Sequence, residues 1–146
     1  MARPYLLLAE DNPDDAELTR RSFRKANTQG DIVVVADGAE TLDYLFARGA
    51  YADRDPQRLP SLILLDLKLP RVDGLEVLRQ VRAAPLTARV PVVILTSSRE
   101  ERDVVRAYEL GANSYVCKRI AVGELADAVS HLVRYWMLLN ETPQMP

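Results

Sequence analysis

Three carboxylates and one lysine stand directly after apolar stretches that have the character of buried strands. Glu10 and Asp11 follow the first stretch, Asp66 follows the third and Lys118 follows the last. In an open parallel sheet the carboxyl ends of the strands share one edge, so we expect these side chains to meet there. Carboxylates at close range repel one another unless a cation lies among them. The pattern therefore predicts a Mg²⁺ site beside a nucleophilic aspartate and a fixed ammonium, which is chemistry suited to accepting a phosphoryl group.

The composition indicates one globular domain. The chain has 146 residues, of which 48% are hydrophobic and 27% charged, enough for a sizeable core. A net charge of −2 argues against a nucleic-acid-binding surface. The single cysteine excludes an internal disulfide and favours a reducing compartment. No apolar run approaches the roughly 18 residues of a membrane span, and no signal-peptide pattern opens the chain. We therefore expect a cytoplasmic protein without membrane contact.

Predicted strands and helices alternate along the chain. Strands are predicted at 5–9, 32–35, 62–65, 90–95 and 114–117. Helices are predicted at 13–26, 39–48, 75–84, 100–110 and 122–139. Asn12 is expected to cap the first helix, with Asp14 and Asp15 as acids of its first turn. The polar segment 49–60 is predicted to be a loop on the solvent side. This order predicts a parallel sheet covered by helices on both faces. Only about seven residues follow the last helix, so residues 1–146 are expected to form a single domain with no output domain.

The chain resembles the receiver domain of two-component response regulators. The matching segments are Glu10-Asp11-Asn12, the block from Asp66 to Gly74, Leu95-Thr96-Ser97, and the segment from Tyr115 to Lys118. They occur in the order typical of the family, each at a predicted strand end, and the resemblance covers roughly residues 5–138. It implies a flavodoxin-like α/β fold, a doubly wound five-stranded parallel sheet with strand order 2-1-3-4-5 and five helices.

The resemblance also implies an acceptor and a metal site. Asp66 would be the phosphoacceptor, since a carboxylate can form an aspartyl phosphate when the phosphoryl group is held in line. Glu10, Asp11 and Asp66 would bind Mg²⁺ together with the backbone carbonyl of Lys68, because Mg²⁺ prefers hard oxygen ligands. Side-chain charge on Lys68, close to the bound anion, is expected to tune the lifetime of the phosphate.

A second set of residues would bind the phosphoryl group and respond to it. Lys118 and Thr96 would each contact a phosphoryl oxygen, with help from a backbone N–H near Ser97. Once Asp66 is phosphorylated, Thr96 would move towards the phosphate and Tyr115 would rotate inward into the vacated space. This movement would alter the surface formed by the fourth helix and fifth strand.

The segment after Lys118 departs from the family pattern. The family usually has a proline there, preceded by a cis bond, whereas this chain has Arg119. A cis bond before a non-proline residue costs about 2.5–4 kcal/mol. The sequence therefore predicts either a strained cis Lys118–Arg119 bond or a trans bond with a reshaped loop.

The resemblance implies protein partners. The phosphodonor would be a sensor histidine kinase, and the phosphoryl group could pass onward to a histidine phosphotransfer protein. The length, the insertion after the second helix, the missing proline and the Tyr135-Trp136 pair resemble the single-domain regulators of bacterial phytochrome kinases. The last helix carries further apolar residues around its end besides a predicted core stripe, which consists of Val122, Leu125, Val129, Leu132, Val133 and Trp136. We expect a homodimer that uses the fourth helix, the fifth strand and the last helix. The alternative is that this end packs on the body.

Two other functions compete with a phosphorylation-dependent switch. A degenerate receiver would act as an interaction module without phosphorylation, but the complete set of acids, Thr96 and Lys118 argues against it. A Mg²⁺-dependent phosphohydrolase would need a second acid two residues after its nucleophile. Lys68 occupies that position here. We therefore do not expect an enzyme, beyond self-phosphorylation and loss of the chain's own phosphate.

Overall fold

The computed structural model describes residues 3–143, and its elements alternate strictly between strand and helix. Strands β1 to β5 are Tyr5–Ala9, Asp31–Val35, Leu62–Leu65, Val92–Thr96 and Ser114–Cys117. Helices α1 to α5 are Pro13–Ala26, Gly38–Leu45, Gly74–Ala83, Glu101–Glu109 and Val122–Arg134. A 3₁₀ turn at Gly49–Tyr51 follows α2, and a π-helical turn at Tyr135–Leu139 extends α5. Residues 1–2 and 144–146, the ends of the predicted 1–146 domain, lie outside the described residues.

All five strands are parallel, in the order β2-β1-β3-β4-β5. The predicted flavodoxin-like α/β fold is therefore confirmed. Strands β1, β3 and β4 are buried along their whole length, as continuous apolar strands of a doubly covered sheet should be. The chain leaves β1 towards β2 and later returns to β3 on the other side of β1. This change of direction opens a crevice at the carboxyl ends of β1 and β3.

The core has two layers, one on each face of the sheet. Alternate residues of one strand enter different layers, because successive side chains of a strand point to opposite faces. Leu7 and Ile63 pack with residues of α2, α3 and α4, whereas Leu8 and Leu64 pack with residues of α1 and α5. The strands are thus held from both sides, which fixes the positions of the residues at their ends.

The turn from β1 into α1 is set by local capping. The Asn12 side chain accepts hydrogen bonds from the backbone N–H groups of Asp14 and Asp15 at 2.9 and 3.1 Å, and Pro13 occupies the first turn. The predicted cap is confirmed. It orients the start of α1 beside the two acids that end β1.

The end of α2 differs from its prediction. Helix α2 ends at Leu45 rather than at residue 48, and Ala47 adopts a left-handed φ of 54°. The following loop is on the solvent side as predicted, and it is also anchored to the body. The Arg54 guanidinium donates hydrogen bonds to the backbone oxygen of Tyr44 and to the hydroxyl of Tyr5, and lies 4.0 Å from the Tyr44 ring centroid. This cation–π contact and its hydrogen bonds explain how a polar segment packs closely.

The last helix is partly as predicted. Leu125, Val129 and Val133 are buried in the core, but the inclusion of Val122 in the same stripe is wrong, since that residue is 72% exposed. Burial begins only one turn into α5, at Leu125. Within residues 3–143, no helix combines the length and the hydropathy needed to cross a membrane.

Candidate active site at the carboxyl edge of the sheet

The lysine that ends β5 lies at the centre of the site. The Lys118 ammonium contacts Glu10 Oε1 at 2.5 Å, Asp15 Oδ2 at 2.8 Å and Asp66 Oδ2 at 3.0 Å. Its side chain is only 9% exposed. Three strand ends, those of β1, β3 and β5, and the first turn of α1 therefore converge on one nitrogen atom. The predicted meeting of Glu10, Asp66 and Lys118 is present in the structure.

Three acids form a cluster with the geometry of a cation site. Carboxylate oxygens of Glu10, Asp11 and Asp66 lie within 4.8 Å of one another. Among the described residues, this is the group of acids that could hold a metal ion. Glu10 and Asp66 are buried, at 4% and 7% exposure, whereas Asp11 is exposed. Two buried acids and one solvent-facing acid fit a hard divalent cation that keeps part of its water shell.

Backbone groups fix the two buried acids. Asn12 N–H donates to Glu10 Oε2, and Lys68 N–H donates to Asp66 Oδ1, each at 3.1 Å. The loop between β3 and α3 is itself tightly held, since Gly74 N–H donates to the Leu67 carbonyl at 2.8 Å. The backbone carbonyl of Lys68 is the predicted metal ligand. The N–H of the same residue already donates to Asp66. The Lys68 side chain is exposed to solvent.

Burial and neighbouring charges shift the pKa values of the groups in the site. Burial raises the pKa of Glu10 to about 7, although the Lys118 ammonium opposes this rise. Burial also opposes ionisation of Asp66, but the charge and hydrogen bond of Lys118 outweigh it and hold the Asp66 pKa below its ordinary value. Burial would lower the pKa of Lys118, yet hydrogen bonds to Asp15 and Glu10 raise it above the ordinary range. Asp66 is therefore an ionised carboxylate in contact with a permanent cation.

A hydroxyl without a partner lies at the end of β4. Thr96 is fully buried, and in the described part of the chain its Oγ1 meets the hydrogen-bond geometry of no other group. The Thr96 hydroxyl nevertheless lies close enough to favour the ionised form of Asp66. An unpaired buried hydroxyl is costly, and a phosphoryl oxygen on Asp66 could accept its hydrogen bond.

The remaining predicted residues surround this centre. Ser97, half-buried, lines an open cavity of about 300 Å³ together with Lys68, Arg99 and Arg119. Tyr115 is half-buried as well, and its hydroxyl donates to the Ser98 carbonyl at 3.0 Å. Ser98 in turn contacts Asp103 of α4. The tyrosine therefore contacts the β4–α4 loop directly rather than the acids.

The bond between Lys118 and Arg119 is trans, since the structure contains no cis peptide bond between residues 3 and 143. Of the two alternatives predicted, the trans bond is the one observed. Ile120 N–H donates to the Lys118 carbonyl at 2.9 Å, and the Arg99 guanidinium contacts the Arg119 carbonyl. Hydrogen bonds thus hold the loop where a proline would otherwise restrict it.

Sequence reasoning missed one member of the site. Asp15 was expected only as a first-turn acid of α1, yet its carboxylate contacts Lys118. Asp15 lies in the first turn of α1, three residues after the Asn12 cap, which is the one local signal for its position. Its partner lies 103 residues further along the chain, so the contact itself depends on the fold.

The fold and the site together define a class of protein. The chain matches the response regulator receiver domain over residues 6–130, and it belongs to that family. It is a receiver-domain signalling regulator, and the predicted resemblance is confirmed.

Particular relatives cover almost the whole chain. Response regulator Rcp1 of Synechocystis is 35% identical over 141 residues, which are 97% of this chain and 92% of Rcp1. The phosphorylated cyanobacterial phytochrome response regulator RcpA has a TM-score of 0.89 at 34% identity, covering 97% of this chain and 99% of RcpA. The bacteriophytochrome response regulator AtBRR is 49% identical with a TM-score of 0.73, covering 97% of this chain and 99% of AtBRR. The chain is thus homologous to phytochrome-associated response regulators.

Proposed function

We propose that this protein is a response regulator whose Asp66 accepts a phosphoryl group from a sensor histidine kinase. One observation carries the proposal: an ionised, buried Asp66 lies 3.0 Å from the Lys118 ammonium, beside a buried Thr96 hydroxyl that has no hydrogen-bond partner among the described residues. This arrangement provides an acceptor oxygen, a fixed cation and a free hydrogen-bond donor at one point.

The acid cluster would hold a divalent cation, which we take to be Mg²⁺. Glu10, Asp11 and Asp66 would supply carboxylate oxygens, and Lys68 its backbone carbonyl. Hard oxygen donors, two of them buried, fit this ion. A related structure, the Mn²⁺-bound form of Rcp1, supports a divalent cation as the ligand. When bound, the ion neutralises negative charge on the incoming phosphoryl group.

Residues of the chain would then carry the transfer. A carboxylate oxygen of Asp66 forms the new bond to phosphorus while the P–N bond of phosphohistidine breaks, and the electron pair leaves with the imidazole. The Lys118 ammonium holds one phosphoryl oxygen as a point charge. Thr96 donates its hydroxyl hydrogen to another oxygen, and the backbone N–H near Ser97 assists. Burial of Asp66 restricts the approach of water to the product.

The transfer would be coupled to a change at the surface. Movement of Thr96 towards the phosphate vacates space beside β5, and Tyr115 would rotate into it. That rotation breaks the bond between the Tyr115 hydroxyl and the Ser98 carbonyl, which frees the β4–α4 loop to take a second arrangement. Signalling would then depend on protein–protein contact at α4 and β5.

The proposed kinase is of the phytochrome type. The relatives RcpA and AtBRR are named phytochrome and bacteriophytochrome response regulators, and each is covered almost completely by this chain. A histidine phosphotransfer protein would be a further partner where the phosphoryl group passes onward.

The proposed assembly is a homodimer through α4, β5 and α5. Large apolar side chains are exposed on α4, in the loop after β5, at the start of α5 and around its end: Val105, Tyr108, Ile120, Val122, Tyr135, Leu138 and Leu139. Exposed apolar side chains in this number favour a protein–protein surface.

Intact mass spectrometry tests the acceptor. The wild-type protein and Asp66→Asn are incubated with Mg²⁺ and acetyl phosphate. One added phosphoryl group on the wild type alone is the expected result. An adduct on Asp66→Asn would place the acceptor elsewhere. Absence of an adduct on both proteins, with Mg²⁺ binding verified by calorimetry, would contradict phosphoryl acceptance.

A further inference from the structure

A carboxylate outside the acid cluster holds the central lysine. Asp15 Oδ2 lies 2.8 Å from Lys118 Nζ, but Asp15 is not part of the cation-binding group formed by the other acids among the described residues. We propose that Asp15 is a positioning residue that keeps Lys118 in place for phosphoryl transfer. This inference rests on the proposed function of Asp66.

The backbone of Asp15 is fixed from both sides. Its N–H donates to the Asn12 side chain at 3.1 Å, and its carbonyl accepts from the Thr19 hydroxyl at 3.0 Å. Asp15 also lies in the first turn of a 14-residue helix that packs against α5. The carboxylate therefore projects from a rigid support, which a positioning contact requires.

The other two partners of Lys118 have competing roles. Glu10 belongs to the proposed metal site, and Asp66 is the proposed acceptor, so both carboxylates change partners when the site is occupied. Asp15 has neither role, so we expect it to keep its contact with the ammonium throughout. Without it, the flexible four-carbon stem of the lysine would sample several positions. Transfer depends on placement of the charged group within a fraction of an ångström.

The chain departs from its family next to this lysine. Arg119 follows Lys118 in place of the usual proline, and the bond between them is trans. Hydrogen bonds hold the backbone of this loop, but they do not restrain the end of the lysine side chain. Asp15 supplies that restraint from α1, across the sheet edge.

Asp14 offers a matched control. It is adjacent to Asp15, carries the same charge, and has its N–H bonded to the same Asn12 side chain. Its side chain is exposed. Asp14→Asn therefore reproduces the loss of one first-turn charge from α1 without removing the contact to Lys118.

The first measurement is the rate of phosphorylation by acetyl phosphate at saturating Mg²⁺. Asp15→Asn is expected to be slower by about tenfold, the scale of one charge-assisted hydrogen bond, and Asp14→Asn to match the wild type. In a Lys118→Met background, Asp15→Asn should have no further effect, because it acts through the lysine. Equal slowing by both aspartate variants, a faster Asp15→Asn, or additive losses would overturn the proposal.

The second measurement does not require phosphorylation. Nuclear magnetic resonance of ¹⁵N-labelled protein with Mg²⁺ reports whether the Lys118 ammonium is shielded from exchange with water. A resolved signal is expected in the wild type and Asp14→Asn, and its loss in Asp15→Asn. A persistent signal in Asp15→Asn would overturn the role of Asp15, whatever the kinetics. If the signal is lost in Asp15→Asn but the wild type is not phosphorylated, the proposed function is rejected, whereas the contact between Asp15 and Lys118 is supported.

Discussion

The hydroxyl of Tyr115 donates a hydrogen bond to the backbone carbonyl of Ser98 at 3.0 Å. Tyr115 lies on β5, whereas Ser98 lies in the loop between β4 and α4, two residues after Thr96. The bond thus connects β5, the strand just before Lys118, to the loop that follows Thr96, whose hydroxyl is proposed to bind the phosphate. The two halves of the proposed switch contact each other before phosphorylation.

Tyr115→Phe is expected to loosen this loop. Removal of one hydrogen bond from a half-buried site should lower the free energy of unfolding by about 0.5–1.5 kcal/mol. Urea denaturation measures the change, and Tyr108→Phe, on an exposed position of α4, is the control. We expect phosphorylation of Asp66 to persist in Tyr115→Phe, since the hydroxyl does not contact the acids. Equal stability of the wild type and Tyr115→Phe would contradict a bond that holds the loop.

Gly74 provides a test of the packing that supports Asp66. A Cβ atom at this position would lie 2.2 Å from the Asp66 backbone oxygen and 2.6 Å from Leu67 Cα. These are backbone atoms, which cannot move without displacing the end of β3. We expect Gly74→Ala to destabilise the protein by about 1–3 kcal/mol, measured by thermal unfolding, and to impair phosphorylation.

Gly123 in α5 is the matched control for that substitution. A Cβ there would meet nothing within 4 Å, and alanine is the better helix former by about 1 kcal/mol. Gly123→Ala should therefore be neutral or stabilising. Similar losses in Gly74→Ala and Gly123→Ala would show that the close approach at Asp66 is not the cause.

Binding of Mg²⁺ should stabilise the native protein. A ligand that binds only the folded state at 100 times its Kd contributes about 2.7 kcal/mol, so the Tm should rise with Mg²⁺ and fall again with a chelator. Asp11→Asn should show a smaller rise, because it removes the exposed member of the acid cluster. Asp14→Asn, with the same change of charge, should behave as the wild type. A rise of equal size in Asp11→Asn would exclude Asp11 as a ligand.

The strand ends were predictable because their causes are local. A strand buried on both faces is a continuous apolar run, so the first polar residue after it marks the sheet edge. This rule located Glu10, Asp66 and Lys118 without any knowledge of their contacts. The Asn12 cap was equally local, since its partners lie two and three residues away.

The features that sequence reasoning missed depend on distant partners. Asp15 has the position of a first-turn helix acid, and only the fold brings it to Lys118. Arg54 belongs to a polar loop, yet it packs on Tyr44 and bonds to Tyr5, 49 residues away. Val122 fits the helical period of α5, but that end of the helix extends beyond the core. The helical period shows which residues share a face of the helix. It does not show how much of that face the neighbouring element covers.

Lys68 is expected to prolong the life of the phosphorylated state. Lys68 follows Asp66 by two residues and its side chain is exposed, so its ammonium is expected to attract the phosphoryl group through a surface interaction worth about 0.2–1 kcal/mol. Lys68→Ala should therefore lose phosphate about 1.5- to 5-fold faster, measured by decay of the intact-mass adduct after removal of the donor. The backbone bond to Asp66 survives the substitution. Lys25→Ala, on the last turn of α1, is the control, and equal decay in all three proteins would reject this role.

The exposed end of α5 should govern self-association. Leu138 and Leu139 are 51% and 71% exposed, so a charged substitution there would remove apolar surface without disturbing the core. Sedimentation at tens of micromolar is expected to show a dimer for the wild type and a monomer for Leu139→Glu, at unchanged Tm. Ala52→Glu, in the exposed loop after α2, should remain dimeric, because it adds the same charge away from α4, β5 and α5. A wild type that stays strictly monomeric, phosphorylated or not, would contradict the proposed dimer and leave these side chains to contact a different protein.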